Sequence, residues 1–191
     1  MNVGLFFGSF NPIHIGHLAI ANYMVEFSDL DEVWFVISPQ NPLKNKQSLL
    51  NEFERFEMVE LALQDHEKIK PSNIEFRLPK PSYTIDTLTY LSEKYSKHNF
   101  VLIMGTDNFQ SFHKWKNYEE ILKHYMIYVY PRPEFGLGEY ENHKSLKLVS
   151  APLMEISSSF IRESIKNKKD IRFFLPAKVY DYIEKMNFYK I

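Results

Sequence analysis

The chain contains no cysteine, which excludes a disulfide framework, a thiol nucleophile and a thiolate metal centre. It has only six glycines, and its first apolar run is not followed by the G-x-G-x-x-G turn of dehydrogenase cofactor sites. Neither sign of charge is in excess, since 23 Lys and Arg stand against 24 Asp and Glu. No nucleic-acid partner is therefore expected. No apolar run approaches the roughly 20 residues that cross a bilayer. The opening MNVGLFFGSF also lacks the basic start and the length of a secretion signal. The expectation is a soluble, cytoplasmic protein with no membrane contact.

What is present is apolar and patterned. Of the 191 residues, 45% are hydrophobic and 16% aromatic. That suffices for a Phe- and Tyr-rich core in a single domain, 1–191, with a small helical subregion over about 151–191. Residues 3–7, 33–37, 100–104 and 126–130 are short apolar runs that predict buried strands. Residues 73–78 and 146–149 are further strand candidates. Helical spacing predicts helices over 16–27, along Phe53, Phe56, Val59 and Leu63, along Ile85, Leu88, Leu91 and Tyr95, and over 119–123, 158–167 and 176–186. Pro176 suits a first helical position. Residues 39–49 read as a loop and 134–145 as a polar, mobile excursion. The alternation predicts an α/β fold: a Rossmann-like, doubly wound parallel sheet of about five strands with helices on both faces. In such sheets ligands bind beyond the carboxyl ends of the strands. That directs attention to 8–17, 38–46, 105–107 and the segment around Pro131.

The first of these reads GSFNPIHIGH, with Gly8 at the strand exit and Gly16 and His17 opening a helix. Unpaired N–H groups and the dipole at a helix start favour an anion, and His14 and His17 add donors beside it. The arrangement suits a polyphosphate. A lone histidine at a helix start is more often a cap or a packing residue. A zinc pair would need a third ligand, which neither cysteine nor a suitably spaced acid supplies; no metal ligand is assigned.

The ordered set of strand, glycine, His-x-Gly-His and helix resembles the G-[ST]-F-[DN]-P-x-H-x-G-H signature of the nucleotidylyltransferase superfamily. Near the other end, ISSSFIR resembles that superfamily's I-S-[SA]-[ST]-x-I-R motif. On residues alone, these serines would be a helix cap and Arg162 a surface charge. KPSYTIDTL and MGTDNFQSFHKW resemble segments of nicotinate-nucleotide adenylyltransferases, as does the R-P at Arg132. The resemblance runs in order from Val3 to about Met186.

That resemblance implies transfer of the adenylyl group of ATP to nicotinate mononucleotide, giving nicotinate adenine dinucleotide and pyrophosphate in NAD biosynthesis. It implies catalytic roles for His14, His17, Lys44 and Arg162. It implies ATP contacts at Gly8, Ser9, Phe10, His14, Gly16, His17, Lys44, Gly105, Asp107, Ile156, Ser157, Ser158 and Arg162. Acceptor contacts would come from Ser9, Tyr83, Thr84, Trp115 and Arg132, and Mg²⁺ would arrive mainly on the ATP phosphates. The family's usual histidine before the loop lysine is Leu43 here, which places more weight on Lys44. Transfer to another phosphomonoester, such as phosphopantetheine or nicotinamide mononucleotide, and nucleotide binding without catalysis stay open at this point. Sequence does not decide between monomer and homo-oligomer.

Overall fold

The two apolar runs that end in glycine become neighbouring central strands. The computed structural model describes residues 1–39 and 49–190. Its strands are β1 (Asn2–Gly8), β2 (Glu32–Ile37), β3 (Ile69–Ser72), β4 (Asn99–Gly105), β5 (Met126–Tyr130) and β6 (Leu146–Leu148). They form one sheet in the order β3-β2-β1-β4-β5-β6, with every neighbouring pair parallel. Its helices are α1 (Ile15–Phe27), α2 (Glu52–Leu63), α3 (Thr84–Lys94), α4 (Thr106–Phe109), α5 (Tyr118–His124), α6 (Ser158–Lys166) and α7 (Ala177–Met186). The fold class is the expected Rossmann-like α/β sheet, with six strands rather than about five.

Both faces of the sheet are covered, so its strands are apolar on both sides. Along β4, Phe100, Leu102 and Met104 face one core, with Leu88 and Leu91 of α3 and Ile121 of α5. Val101 and Ile103 face the other, with Met24 of α1, Met58 of α2, Ile161 of α6 and Val179 of α7. The period-2 pleat separates the two sets. Helices α6 and α7 thus share their core with α1 and α2. Leu5 and Phe35 are fully buried; truncating Leu5 to alanine removes about 2–5 kcal/mol.

Four local expectations are corrected. The strand expected over 73–78 lies earlier, as β3, and Ile74–Arg77 is a 3₁₀ turn. The I-E-F-R-L alternation mimics a strand, but Glu75 is buried by hydrogen bonds to side chains, whereas Pro71 is tolerated because β3 is an edge strand. Pro176 is the N-cap of α7, not its first residue. Phe53 is 65% exposed and rests edge-on against Phe76, because the inward face of α2 is set by Arg55, Met58, Val59 and Leu63. The 134–145 segment is anchored: Leu137 is buried and Tyr140 meets Phe109 edge-on.

Sheet order reverses between β1 and β4. A crevice at their carboxyl ends therefore lies between Gly8 and Gly105, where a parallel sheet of this order presents its ligand site.

Candidate active site

The β1–α1 loop is bound tightly to what surrounds it. Gly8 closes β1, and the left-handed residue of the turn is Phe10 (φ 45°) rather than a glycine. Phe10 keeps this backbone because its ring is buried beneath the loop, 4.9 Å from the ring of Phe35 and 5.1 Å from that of His17. A side chain at Gly8 would meet the Phe10 ring at 2.7 Å, which explains the glycine there. His14 is the N-cap of α1 in an extended conformation. Its backbone N–H donates to Nδ1 of His17 at 3.3 Å. With Nδ1 accepting, the proton of a neutral His17 sits on Nε2, where it can be donated outward.

The two imidazoles stack at 3.7 Å and 23°. His14 is 1% exposed, and neither of its ring nitrogens has a partner among the described residues. Burial, with a smaller contribution from Arg132, holds its pKa down to about 4. His14 is therefore neutral near pH 7 and keeps one N–H to give. Among the described residues no group of three His, Asp or Glu could hold a metal.

The C-terminal motif is seated on this loop. Ser157 caps α6, accepting from the N–H of Phe160 at 3.1 Å. Ser158 Oγ donates to the carbonyl of Pro12 at 2.8 Å, and Arg162 Nη1 donates to that of Asn11 at 2.8 Å. The Ile156 side chain lies over Gly16. Residues more than 140 positions apart in the chain thus meet at the mouth of α1. The serines do cap a helix, and the guanidinium also reaches the loop.

At the end of β4, Asp107 folds back over Gly105, where a Cβ would lie 2.3 Å from its Oδ1. Arg132 stands 4.0 Å from that carboxylate, donates to the carbonyl of Met154, and lies over the ring of Tyr130 at 5.5 Å. Its backbone N–H donates to Thr106 Oγ1 at 2.8 Å. Arg132, expected among the acceptor contacts, stands beside Asp107 and acts electrostatically on His14.

A family model described as Cytidylyltransferase-like matches residues 5–164. The chain is 55% identical over 192 residues to a probable nicotinate-nucleotide adenylyltransferase of Flavobacterium psychrophilum, covering 100% of both chains. It is 56% identical over 189 residues to one of Cytophaga hutchinsonii, covering 99% of this chain and 98% of that one. The chain belongs to the nicotinate-nucleotide adenylyltransferase family. Its fold is that of the Plasmodium falciparum nicotinic acid mononucleotide adenylyltransferase solved with NaAD, at TM-score 0.84 and 22% identity, covering 98% of this chain and 97% of that one.

Within this adenylyltransferase fold, the segments expected to meet the acceptor also lie together. Lys116, which follows Trp115, binds Asp86 of α3 at 3.0 and 3.2 Å and sits 4.7 Å over the ring of Tyr83. Trp115 is half-buried against Phe112, with ring centroids 5.5 Å apart. The N-cap of α3 is Tyr83, and Thr84 is the first helical residue. Lys44 lies outside the described residues.

Sequence reasoning missed three residues that hold the site. Arg55, fully buried, donates to the carbonyls of Ser9 (2.6 Å), Ser38 (2.9 Å), Pro39 (3.0 Å) and Leu50 (3.0 Å). The Tyr189 hydroxyl donates to Oδ1 of Asn11 at 2.7 Å, across 178 residues, and burial pushes its phenol pKa up. Glu75 accepts from the hydroxyls of Ser82 and Thr87, each at 2.8 Å. The available signal was a charged residue in phase with Met58 and Val59 on the inward face of α2, and a glutamate inside an apolar alternation.

Proposed function

We propose that the protein transfers the adenylyl group of ATP to nicotinate mononucleotide, forming nicotinate adenine dinucleotide and pyrophosphate. The observation that carries this reading is the seating of Ser158 and Arg162 on the loop that presents His14, whose buried ring nitrogens have no protein partner among the described residues. A buried polar ring without a partner is costly unless a ligand completes it. The family of the relatives supplies the ligand class.

The acceptor phosphate is mostly dianionic at neutral pH, because its second pKa is about 6. It needs no general base. One of its oxygens attacks the α-phosphorus of ATP in line. A new P–O bond forms, the bond from the α-phosphorus to the bridging oxygen breaks, and pyrophosphate leaves with that electron pair. The protein aligns the anions and stabilises the charge that moves onto the leaving group. His14 would donate to the α-phosphate, and His17, through Nε2, to the β- and γ-phosphates together with Lys44 and Arg162. Asp107 would accept from the ribose of the adenosine, with Arg132 holding the carboxylate. Tyr83, Thr84 and Trp115 would enclose the pyridine nucleotide. ATP would enter as its magnesium complex, since the side chains proposed to meet its phosphates are imidazoles, a lysine and a guanidinium rather than carboxylates. The helical part over 151–191 would serve as one unit with the sheet.

Pyrophosphate release is the test, with ATP and, in turn, nicotinate mononucleotide, nicotinamide mononucleotide and phosphopantetheine. Nicotinate mononucleotide should give the highest kcat/KM, with nicotinate adenine dinucleotide as product. Preference for another acceptor would move the assignment, and nucleotide binding with no release from any would refute it.

A further inference from the structure

Beneath the site, two buried ionisable side chains, Arg55 and Glu75, stand near the end of β2 beside Ser38, and burial raises the pKa of the Glu75 carboxyl. Arg55 is 0% exposed, and its hydrogen-bond acceptors among the described residues are carbonyl oxygens. Glu75 is 2% exposed, and its partners are hydroxyls. Neither makes an ion pair among the described residues.

The bonds form a path. Arg55 Nη1 bridges the carbonyls of Ser9, beside the histidine loop, and Ser38. The Ser38 N–H donates to the carbonyl of Gly8 at 2.9 Å, and Glu75, on the 3₁₀ turn that packs against β2, has the Ser38 side chain close enough to favour its charged form. Glu75 then accepts from Ser82 and Thr87, which flank Tyr83 and Thr84. The path runs from the end of β1, across β2, to the start of α3. It joins the loop that presents His14 to the segment assigned to the acceptor.

Burying an uncompensated charge costs several kcal/mol, and a well-packed apolar residue is often the more stabilising choice at such a position. Two ionisable groups kept in such a place point to geometry rather than stability. A guanidinium fork fixes several acceptors at once, and a carboxylate can receive three hydroxyls that an apolar group would release. Displacements of about 1 Å far from the chemistry can lower a rate by ~100-fold, so the spacing of two bound substrates is worth holding.

We propose that Arg55 and Glu75 are positioning residues that act through Ser38 to hold the triphosphate loop and the acceptor segment at one fixed spacing. The proposal rests on the adenylyl-transfer reading, and it assigns the two residues different kinetic signatures. Arg55 touches the triphosphate side first, and Glu75 the acceptor side.

The test is a kinetic double-mutant cycle on the full chain, with thermal midpoints recorded for each variant. Arg55→Lys keeps a charge but cannot reach four carbonyls, so KM for ATP should rise about tenfold with a fall in kcat. Glu75→Gln should raise KM for nicotinate mononucleotide about tenfold and leave KM for ATP within about twofold. Ser38→Ala removes only the hydroxyl and should reproduce the Glu75→Gln pattern, which keeps the test available if Arg55→Lys folds poorly. In the double variant the combined loss in kcat/KM should fall short of the product of the single losses by at least about threefold, since both act through one residue. Losses that multiply, or lowered thermal midpoints with both KM values unchanged, would overturn the proposal. Should the wild type bind ATP but form no dinucleotide, the reaction assignment fails on its own. The relay is then judged by the ATP dissociation constant of Arg55→Lys, expected about tenfold weaker, and an unchanged constant would end it.

Discussion

The histidine-loop side of this crevice, proposed to hold the triphosphate, and the Tyr83–Trp115 side, proposed to hold the acceptor, are built by opposite means. The histidine loop is fixed from four directions by Arg55, Ser158, Arg162 and Tyr189, mostly through buried or half-buried hydrogen bonds to its carbonyls and to Asn11. The acceptor side is joined by Lys116 and Asp86, whose side chains are 44% and 49% exposed. Hydrogen bonds shielded from water are stronger and costly to break singly, whereas an exposed ion pair contributes little. The donors proposed to meet a moving charge are thus preorganised, while the side proposed for the pyridine is left adaptable except where Glu75 ties Ser82 and Thr87.

Breaking the rigid half should have the largest effect. His14→Ala should lower kcat about 10²–10³-fold, as expected for loss of one preorganised donor, while the far-ultraviolet dichroism of the fold is retained. Steady-state pyrophosphate release checks it, and near-normal turnover would remove His14 from the mechanism.

The next effect is on stability against pH. The folded pKa of His14, about 4, lies below the usual 6.5. The unfolded chain therefore binds the extra proton first as pH falls, and stability drops between about pH 6.5 and pH 4. The single-site loss is ~3 kcal/mol between pH 7 and pH 4. Urea unfolding across that range should show a His14→Asn variant losing correspondingly less than the wild type.

A smaller change is expected at the C-terminal clamp. Tyr189→Phe removes one buried hydrogen bond to Asn11 and should lower stability by about 1–2 kcal/mol. It should also lower kcat severalfold, because Asn11 is the residue whose carbonyl seats Arg162. The smallest effect sharpens the contrast from the other side. Lys116→Met should change stability by no more than about 0.5 kcal/mol, as for other exposed pairs. A loss of ~2 kcal/mol in denaturant titration would show that the acceptor side is as rigid as its neighbour.

Sequence reading reached what is local. GSFNPIHIGH lies in one strand exit and helix start, so its spacing alone places His14 and His17 at an anion-binding mouth. ISSSFIR likewise reads as a capped helix with Arg162 on its first turns. The supports were out of reach because they act across the fold. Arg55 meets Ser9 across 46 residues, and Tyr189 meets Asn11 across 178. Helical phase with Met58 and Val59 marks Arg55 as inward-facing, but no local pattern names the carbonyls it binds. The misplaced third strand has the same origin: the alternation around Glu75 has strand period, and only the hydroxyls of Ser82 and Thr87 reveal why that glutamate is buried. The motif at Arg132 marked a strand end, but its approach to Asp107 was not legible, since that depends on how β4 and β5 pair.

The central claim is that imidazoles from the first loop and a guanidinium from α6 meet one bound triphosphate. A crystal structure with a non-hydrolysable ATP analogue and magnesium tests it directly. The account requires phosphate oxygens within about 2.7–3.2 Å of a ring nitrogen of His14, of Nε2 of His17 and of the Arg162 guanidinium in the same complex. An analogue bound with its phosphates away from His14, or with Arg162 still turned onto Asn11 alone, would contradict it.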